Sequence, residues 1–287
     1  MKFITSLFAL LIFGTTLFAQ DNAPEASAAD TVSPWQSKGV LGFNLSQMAF
    51  SDWSQGGDDA MTYTFTGNFG LDYTGKVWNF RNSLKIAYGQ TRLGDDDFKT
   101  NDNEFYLESV VSRKFGWVVD PFFSNIVRTQ VAPGNEYSES EPIKISDIFD
   151  PGYISQAIGF TYDKNKIIKT RLGVALQETF TSEFTKYSDD PETLDELETF
   201  KLETGLESVT DVEYAFMDNM LLKSKLRLFT RFDDPAVWDV RWDNIISAKI
   251  NKYFVVNLNF MVVYEKIQSL RTQIKEALQL GVTYILI

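Results

Sequence analysis

Four cations stand on one face of a short stretch: Lys223, Lys225, Arg227 and Arg231, with Leu222, Leu226, Leu228 and Phe232 on the other. A period of two reads as a β-strand with one charged and one apolar face. The flanking stretches carry the opposite sign at matching parity. Folding about Asp218 sets Glu213 beside Lys223 and Asp211 beside Lys225, with Glu207 near the level of Arg227. Folding about Pro235 sets Arg231 beside Asp239 and Arg227 beside Asp243, with Arg241 between the two aspartates. Opposite charges facing each other across strands attract. Two chemistries fit this ladder. It could line a pore that selects solutes, or it could neutralise itself and close the space it lines. A selective ring normally leaves one sign unpaired, so the pairing favours closure.

Other chemistries are thinly represented. The 287 residues include no His and no Cys. That removes the Ser-His-Asp and Cys-His arrangements, the usual zinc ligand and any disulfide framework. Carboxylates are too numerous to single out a hydrolytic pair, and no nucleophile–base constellation is legible. We therefore expect no enzyme activity and no cofactor. Asp95-Asp96-Asp97 and Asp189-Asp190 offer hard oxygen ligands, but they lack the ligand order and Gly of a calcium loop. They read as solvated loop rims, and no metal site is expected. The net charge of −12 excludes nucleic acid, which needs a basic patch.

The elements that must carry the charges are long alternating strands. From Met61 to Tyr73 nearly every odd position is apolar and the even ones are Thr, Asn, Gly or Asp. After Thr74-Gly75-Lys76 the parity flips, and Trp78, Phe80, Leu84, Ile86 and Tyr88 form the apolar face opposite Asn79, Arg81, Ser83 and Lys85. This is a hairpin. Tyr63 and Tyr73 are ten residues apart on one face, as are Trp78 and Tyr88. At about 3.3 Å per residue and a tilt of about 45°, ten residues climb roughly 23 Å. A transmembrane barrel presents an apolar band about 25 Å tall between aromatic girdles. Several lipid-facing Lys or Arg would each cost about 2–4 kcal/mol at the midplane, so the charged face must point into the barrel.

Along the chain, residues 1–19 read as a signal peptide: Lys2, an apolar run and Ala19 before the cut. Residues 20–37 form a flexible acidic linker, and 38–287 the barrel. About twelve strands follow, starting at Val40–Phe50, with Ala132–Pro151 a long polar loop and Ser182–Glu198 an acidic one in which Leu194 and Leu197 could make a helical turn. Connections after even strands are short, and those after odd strands mostly longer and acidic, which is the periplasmic–extracellular asymmetry of a barrel. The fold class is thus all-β, a single antiparallel transmembrane β-barrel of about twelve strands, in the cell outer membrane. A soluble periplasmic barrel or sandwich is the rival; loop sorting and girdle spacing weigh against it.

Asn44-Leu45-Ser46-Gln47 followed by Trp53-Ser54-Gln55-Gly56-Gly57 resembles the N-terminal signature of an uncharacterised outer-membrane family, known mainly from Bacteroidetes and catalogued as domain of unknown function 3078. Tyr88-Gly89, Lys99-Thr100-Asn101-Asp102, Arg128–Gly134, Asp150-Pro151-Gly152-Tyr153 and Gly159-Phe160 extend the likeness, to roughly Trp35–Tyr162. The resemblance implies an outer-membrane barrel and no assigned activity. Within it, Arg128 and Gln130 share a face and could bind an anionic or sugar group, or line the lumen ahead of a Pro-Gly turn.

The sequence thus yields two functions: a small channel or solute pore with a charged lumen, or a structural or accessory barrel subunit of a larger envelope complex whose lumen is closed by salt bridges. The expected partners are the bilayer and outer-membrane lipids, with an envelope protein partner in the second case. Trp53, Gly56 and Gly57 are then candidate loop contacts.

Overall fold

The computed structural model describes residues 33–49, 58–137, 141–190, 193, 197–266 and 271–286. Twelve strands close into one antiparallel barrel: β1 (Trp35–Met48), β2 (Ala60–Thr74), β3 (Trp78–Leu93), β4 (Lys99–Arg113), β5 (Asp120–Thr129), β8 (Gly152–Tyr162), β9 (Ile168–Phe180), β10 (Phe200–Met217), β11 (Met220–Arg231), β12 (Trp238–Lys249), β13 (Phe254–Tyr264) and β14 (Gln273–Ile285). Each pairs with its sequence neighbours, and β1 closes on β14 with Val40 facing Ile285 and Asn44 facing Gly281. Closure satisfies every strand edge, which a bilayer demands.

The expected strand count holds for the barrel, with local differences. β1 begins at Trp35, taking in the last residues of the stretch expected as linker. The long loop between β5 and β8 is not wholly irregular: β6 (Gly134–Glu136) and β7 (Ile143–Ser146) pair as a separate two-stranded sheet. After β9 the helical turn falls at Thr185–Tyr187, as a 3-10 turn, and Leu194 lies outside the described residues. So do residues 1–32 and the Trp53, Gly56 and Gly57 loop.

Parity decides what each wall faces. On β9 Leu172, Val174 and Leu176 are exposed, while Arg171 and Ala175 between them are buried. On β14 Ile274, Leu278, Leu280, Val282 and Tyr284 are exposed, and on β1 Leu41, Phe43 and Leu45. Exposed apolar side chains on most strands and buried charges inside invert the soluble pattern. Rings gather toward the strand ends: Trp35 packs on Tyr73 at 4.9 Å and Phe180 on Phe200 at 5.1 Å. Hydrocarbon surroundings are what this exterior fits.

Inside, small and large residues interdigitate. The inward positions of β8, β9 and β10 include Ala157, Gly159, Gly173, Ala175 and Gly205. Against them lie the bulky Phe122 and Phe229, buried with Val110 in one apolar cluster. On this side of the barrel the interior is packed with side chains, as in narrower barrels.

Candidate functional site

The charged interior grows from the β10–β11 hairpin. A two-residue turn joins these strands, so their register is tightly set: Glu213 faces Lys223 and Asp211 faces Lys225. Their charged atoms are 3.9 Å and 3.4 Å apart, and Arg227 Nε donates to Glu207 at 2.8 Å. The Glu213–Lys223 pair is more than half exposed, at the end of the hairpin, and contributes little as an ion pair. Glu207, by contrast, is buried and also accepts from Ser155 at 3.1 Å.

The β11–β12 register differs from the one read about Pro235. Arg227 faces Arg241, Lys225 faces Asp243 and Phe229 faces Asp239. The last pair is Thr230 with Trp238, so the turn centres on Asp234, where Val237 N–H donates to the Asp234 carbonyl and Thr230 Oγ1 to that of Val237. Arg231 consequently turns to Glu203 at 3.2 Å, with Asp234 at 3.7 Å and Asp233 at 3.8 Å, instead of to Asp239. Arg241 reaches Asp243 on its own strand at 2.9 Å.

The larger departure is that the charges do not pair only along the wall. Arg241 Nη2 donates to Glu104 Oε1 on β4 at 2.6 Å. Those strands are six places apart around the ring of twelve. Glu108, also on β4, takes Arg171 of β9 on one oxygen and Lys225 of β11 on the other. Arg81 of β3 stands 3.9 Å from Asp211 of β10. Nearer the long-loop end, Arg128 of β5 donates to Glu265, just beyond β13, at 3.1 Å, and lies 4.7 Å from the Tyr153 ring centre. Side chains thus cross the lumen at several levels. Glu104, Glu108 and Arg171 were not singled out from the sequence. Their inward parity on alternating strands was legible; their partners, 63 to 137 residues away, were not.

Between these bridges remains a cavity of about 30 Å³, bordered by Tyr106, Arg128, Tyr153, Arg227, Arg241 and Asp243. That is room for about one or two waters. Its cations are already engaged: Arg227 also donates to Gln177 at 2.9 Å and to Ser155 at 3.2 Å. Gln130, which shares Arg128's parity in the sequence, is not part of this lining, and its Oε1 is buried without a hydrogen bond among the described residues.

The loop end is organised by two polar clasps. Asn103 Oδ1 accepts from the backbone N–H groups of Val131 and Ala132 at 2.9 Å and 3.1 Å, and its Nδ2 donates to the Ala132 carbonyl at 2.7 Å. The buried Asp150 carboxylate accepts from Ser182 and Glu183 N–H at 2.9 Å and 2.7 Å, joining the loop before β8 to the one after β9. The acidic rim residue Asp96 pairs with Lys99 at 2.9 Å. Among the described residues, no group of three or more carboxylates converges as a metal site would require.

The Asn103 clasp ties together two of the sequence stretches that carry the family likeness. Residues 45–135 match the family model described as "Protein of unknown function (DUF3078)". The DUF3078 match runs from the end of β1 to β6, and takes in the clasp and Glu104, Glu108 and Arg128 of the lumen. No curated protein sequence matches the chain. Among solved structures, the outer membrane channel from Pseudomonas putida F1 is similar at 9% identity, with 91% of this chain and 99% of that chain covered and a TM-score of 0.40. The translocator domain of the autotransporter NalP from Neisseria meningitidis is similar at 9% identity, with 89% of each chain covered and a TM-score of 0.37. The closed twelve-stranded ring with its apolar outer wall is itself the architecture of an outer-membrane β-barrel.

Proposed function

We propose that this protein is a closed-lumen barrel of the outer membrane, serving as a structural or accessory component of the envelope instead of a freely open solute pore. The observation that carries this reading is the Glu104–Arg241 bridge between opposite walls, at 2.6 Å. Glu108 adds a second crossing, and the cavity beside these bridges holds about one or two waters. An open pore needs a continuous hydrated path, and here the ion pairs occupy it.

Planar-bilayer recording of the purified full-length protein tests this directly. We expect no steady conductance at moderate voltage, and step-like currents once Glu104→Ala and Arg241→Ala are combined. Regular ohmic steps from the unaltered protein would overturn the closed reading and restore the small channel. The channel reading draws its own support from the cations on the border of the cavity, Arg128, Lys225, Arg227 and Arg241, and it would require the bridges to part in the conducting state.

A further inference from the structure

The outer wall carries a row of polar side chains where lipid contact calls for apolar ones. Asn82 on β3 faces Ser109 on β4, Ser109 faces Asn125 on β5, and Asn125 faces Gln156 on β8. Their outward direction follows from parity, since Glu108, Ser124 and Ser155 beside them are buried in the interior. Each stands between apolar outward neighbours on its own strand: Phe80 and Leu84, Leu107 and Val111, Phe123 and Val127, Ile154 and Ile158. The row therefore lies within the apolar belt and not at its edges.

Several other lipid-side polar groups are satisfied inside the wall, although Thr204 and Ser208 on β10 have no side-chain hydrogen bond among the described residues. Ser224 accepts from Trp242 Nε1 at 2.9 Å, Thr170 pairs with Thr210 at 2.9 Å, and Asn244 donates to the Phe260 carbonyl at 3.4 Å. Ser109 likewise donates to Asn82 at 2.5 Å. Asn125 and Gln156 form an adjacent pair of amides. They sit side by side, half-buried, with no side-chain hydrogen bond among the described residues. Hydrocarbon offers amides no partner, so each unsatisfied group costs several kcal/mol there.

We propose that this face, centred on Asn125 and Gln156, is the contact surface for a second copy of the same chain within the membrane. A two-fold contact places one patch against itself, so the patch must be self-complementary. Amides are, because each carries both donors and an acceptor. The patch is also free of charge: the outward positions from Phe80 to Tyr88, Phe105 to Val111, Pro121 to Thr129 and Ile154 to Tyr162 include no ionisable group except the tyrosines. A like charge would repel its own symmetry mate, and none is present. Interhelical hydrogen bonds between amides join membrane helices by the same physics. The proposal depends on the outward orientation of these residues and not on whether the lumen conducts.

The chain has no cysteine, so single-cysteine cross-linking starts from a clean background. In native membranes, Asn125→Cys is expected to form a disulfide-linked dimer under mild oxidation. Leu278→Cys, on β14 across the barrel, is expected to stay single. Mass measurement of the unaltered full-length protein in mild detergent should give two chains, and Asn125→Leu combined with Gln156→Leu should weaken that association about tenfold while heat-modifiable gel migration stays that of a folded barrel. A monomeric unaltered protein would overturn the proposal. So would equal cross-linking from Leu278→Cys, or recovery of Asn125→Cys cross-linked only to a different membrane protein.

Discussion

Glu108 holds Arg171 with one carboxylate oxygen and Lys225 with the other, joining three strands that the sheet keeps apart. Glu108 and Arg171 are nearly water-free, and Lys225 is a quarter exposed. Removing a buried charge from such a group leaves its partners desolvated and unpaired, at a cost of about 3–5 kcal/mol. Glu108→Ala should therefore lower the unfolding free energy in lipid vesicles by about that much, as read from urea-induced tryptophan fluorescence. Glu108→Gln should lose less, because it keeps the shape and an acceptor. Equal stability of Glu108→Ala and the unaltered barrel would mean the bridge carries no weight.

The outer belt makes a second claim. Leu278 is 74% exposed in the middle of β14. Leu278→Arg should cost about 2–4 kcal/mol, the depth-dependent cost of a midplane cation, in the same unfolding measurement. Leu278→Ile should be close to neutral. An arginine tolerated without loss would contradict a lipid-facing β14.

Gly159 on β8 sits where its strand presses on β9. A Cβ there would stand 2.1 Å from the Leu172 carbonyl oxygen and 2.4 Å from the Gly173 Cα. Both are backbone atoms, so neither can rotate away. We expect Gly159→Ala to destabilise the barrel by about 1–3 kcal/mol, the usual range for overpacking, and to slow its conversion to the heat-modifiable form. Gly116, with nothing within 4 Å of its Cβ position, is unsuitable as a control because its φ is +80°. Gly70 has ordinary contacts near 3.7 Å, and Gly70→Ala should be tolerated.

Glu198 fixes the loop after β9: it accepts from Thr193 Oγ1 at 2.5 Å and from Asp190 N–H at 3.1 Å. The hydrogen bond from Thr193 leads in lowering its pKa from 4.5 to about 2, aided by the Asp190 N–H. A depressed carboxylate stabilises the ordered loop fully above its unfolded value, and the benefit fades as pH falls through the folded one. Protection of this loop from acid-active protease should hold from neutral pH to about 4.5 and decline as pH approaches about 2. Glu198→Gln should lose that pH dependence. A decline centred above pH 5 would point to another group.

Much of the fold was legible in the residues. The Met61–Thr91 alternation marked β2 and β3 because strand parity is local: one residue fixes the face of the next. The Glu213–Lys223 and Asp211–Lys225 oppositions were legible because a short turn leaves one register open. The β11–β12 pairing was displaced by two residues, since the six-residue connection between Arg231 and Trp238 can centre on Asp234 as well as on Pro235. The β6–β7 sheet was not legible. Its strands of three and four residues are too short to display a period.

The sequence by itself determined which side chains face the lipid and which face the interior, because alternation is written residue by residue and hydrocarbon rejects charge. Only the tertiary structure decided which charges meet across the interior. Whether Glu104 meets Arg241 depends on which strands stand opposite once the ring has closed, and on how far its stagger carries each inward residue along the axis. Nothing within 137 residues of chain between them encodes that distance locally. The β5–β8 pairing placed Asn125 beside Gln156 on the outer wall, with no side-chain hydrogen bond for either amide among the described residues.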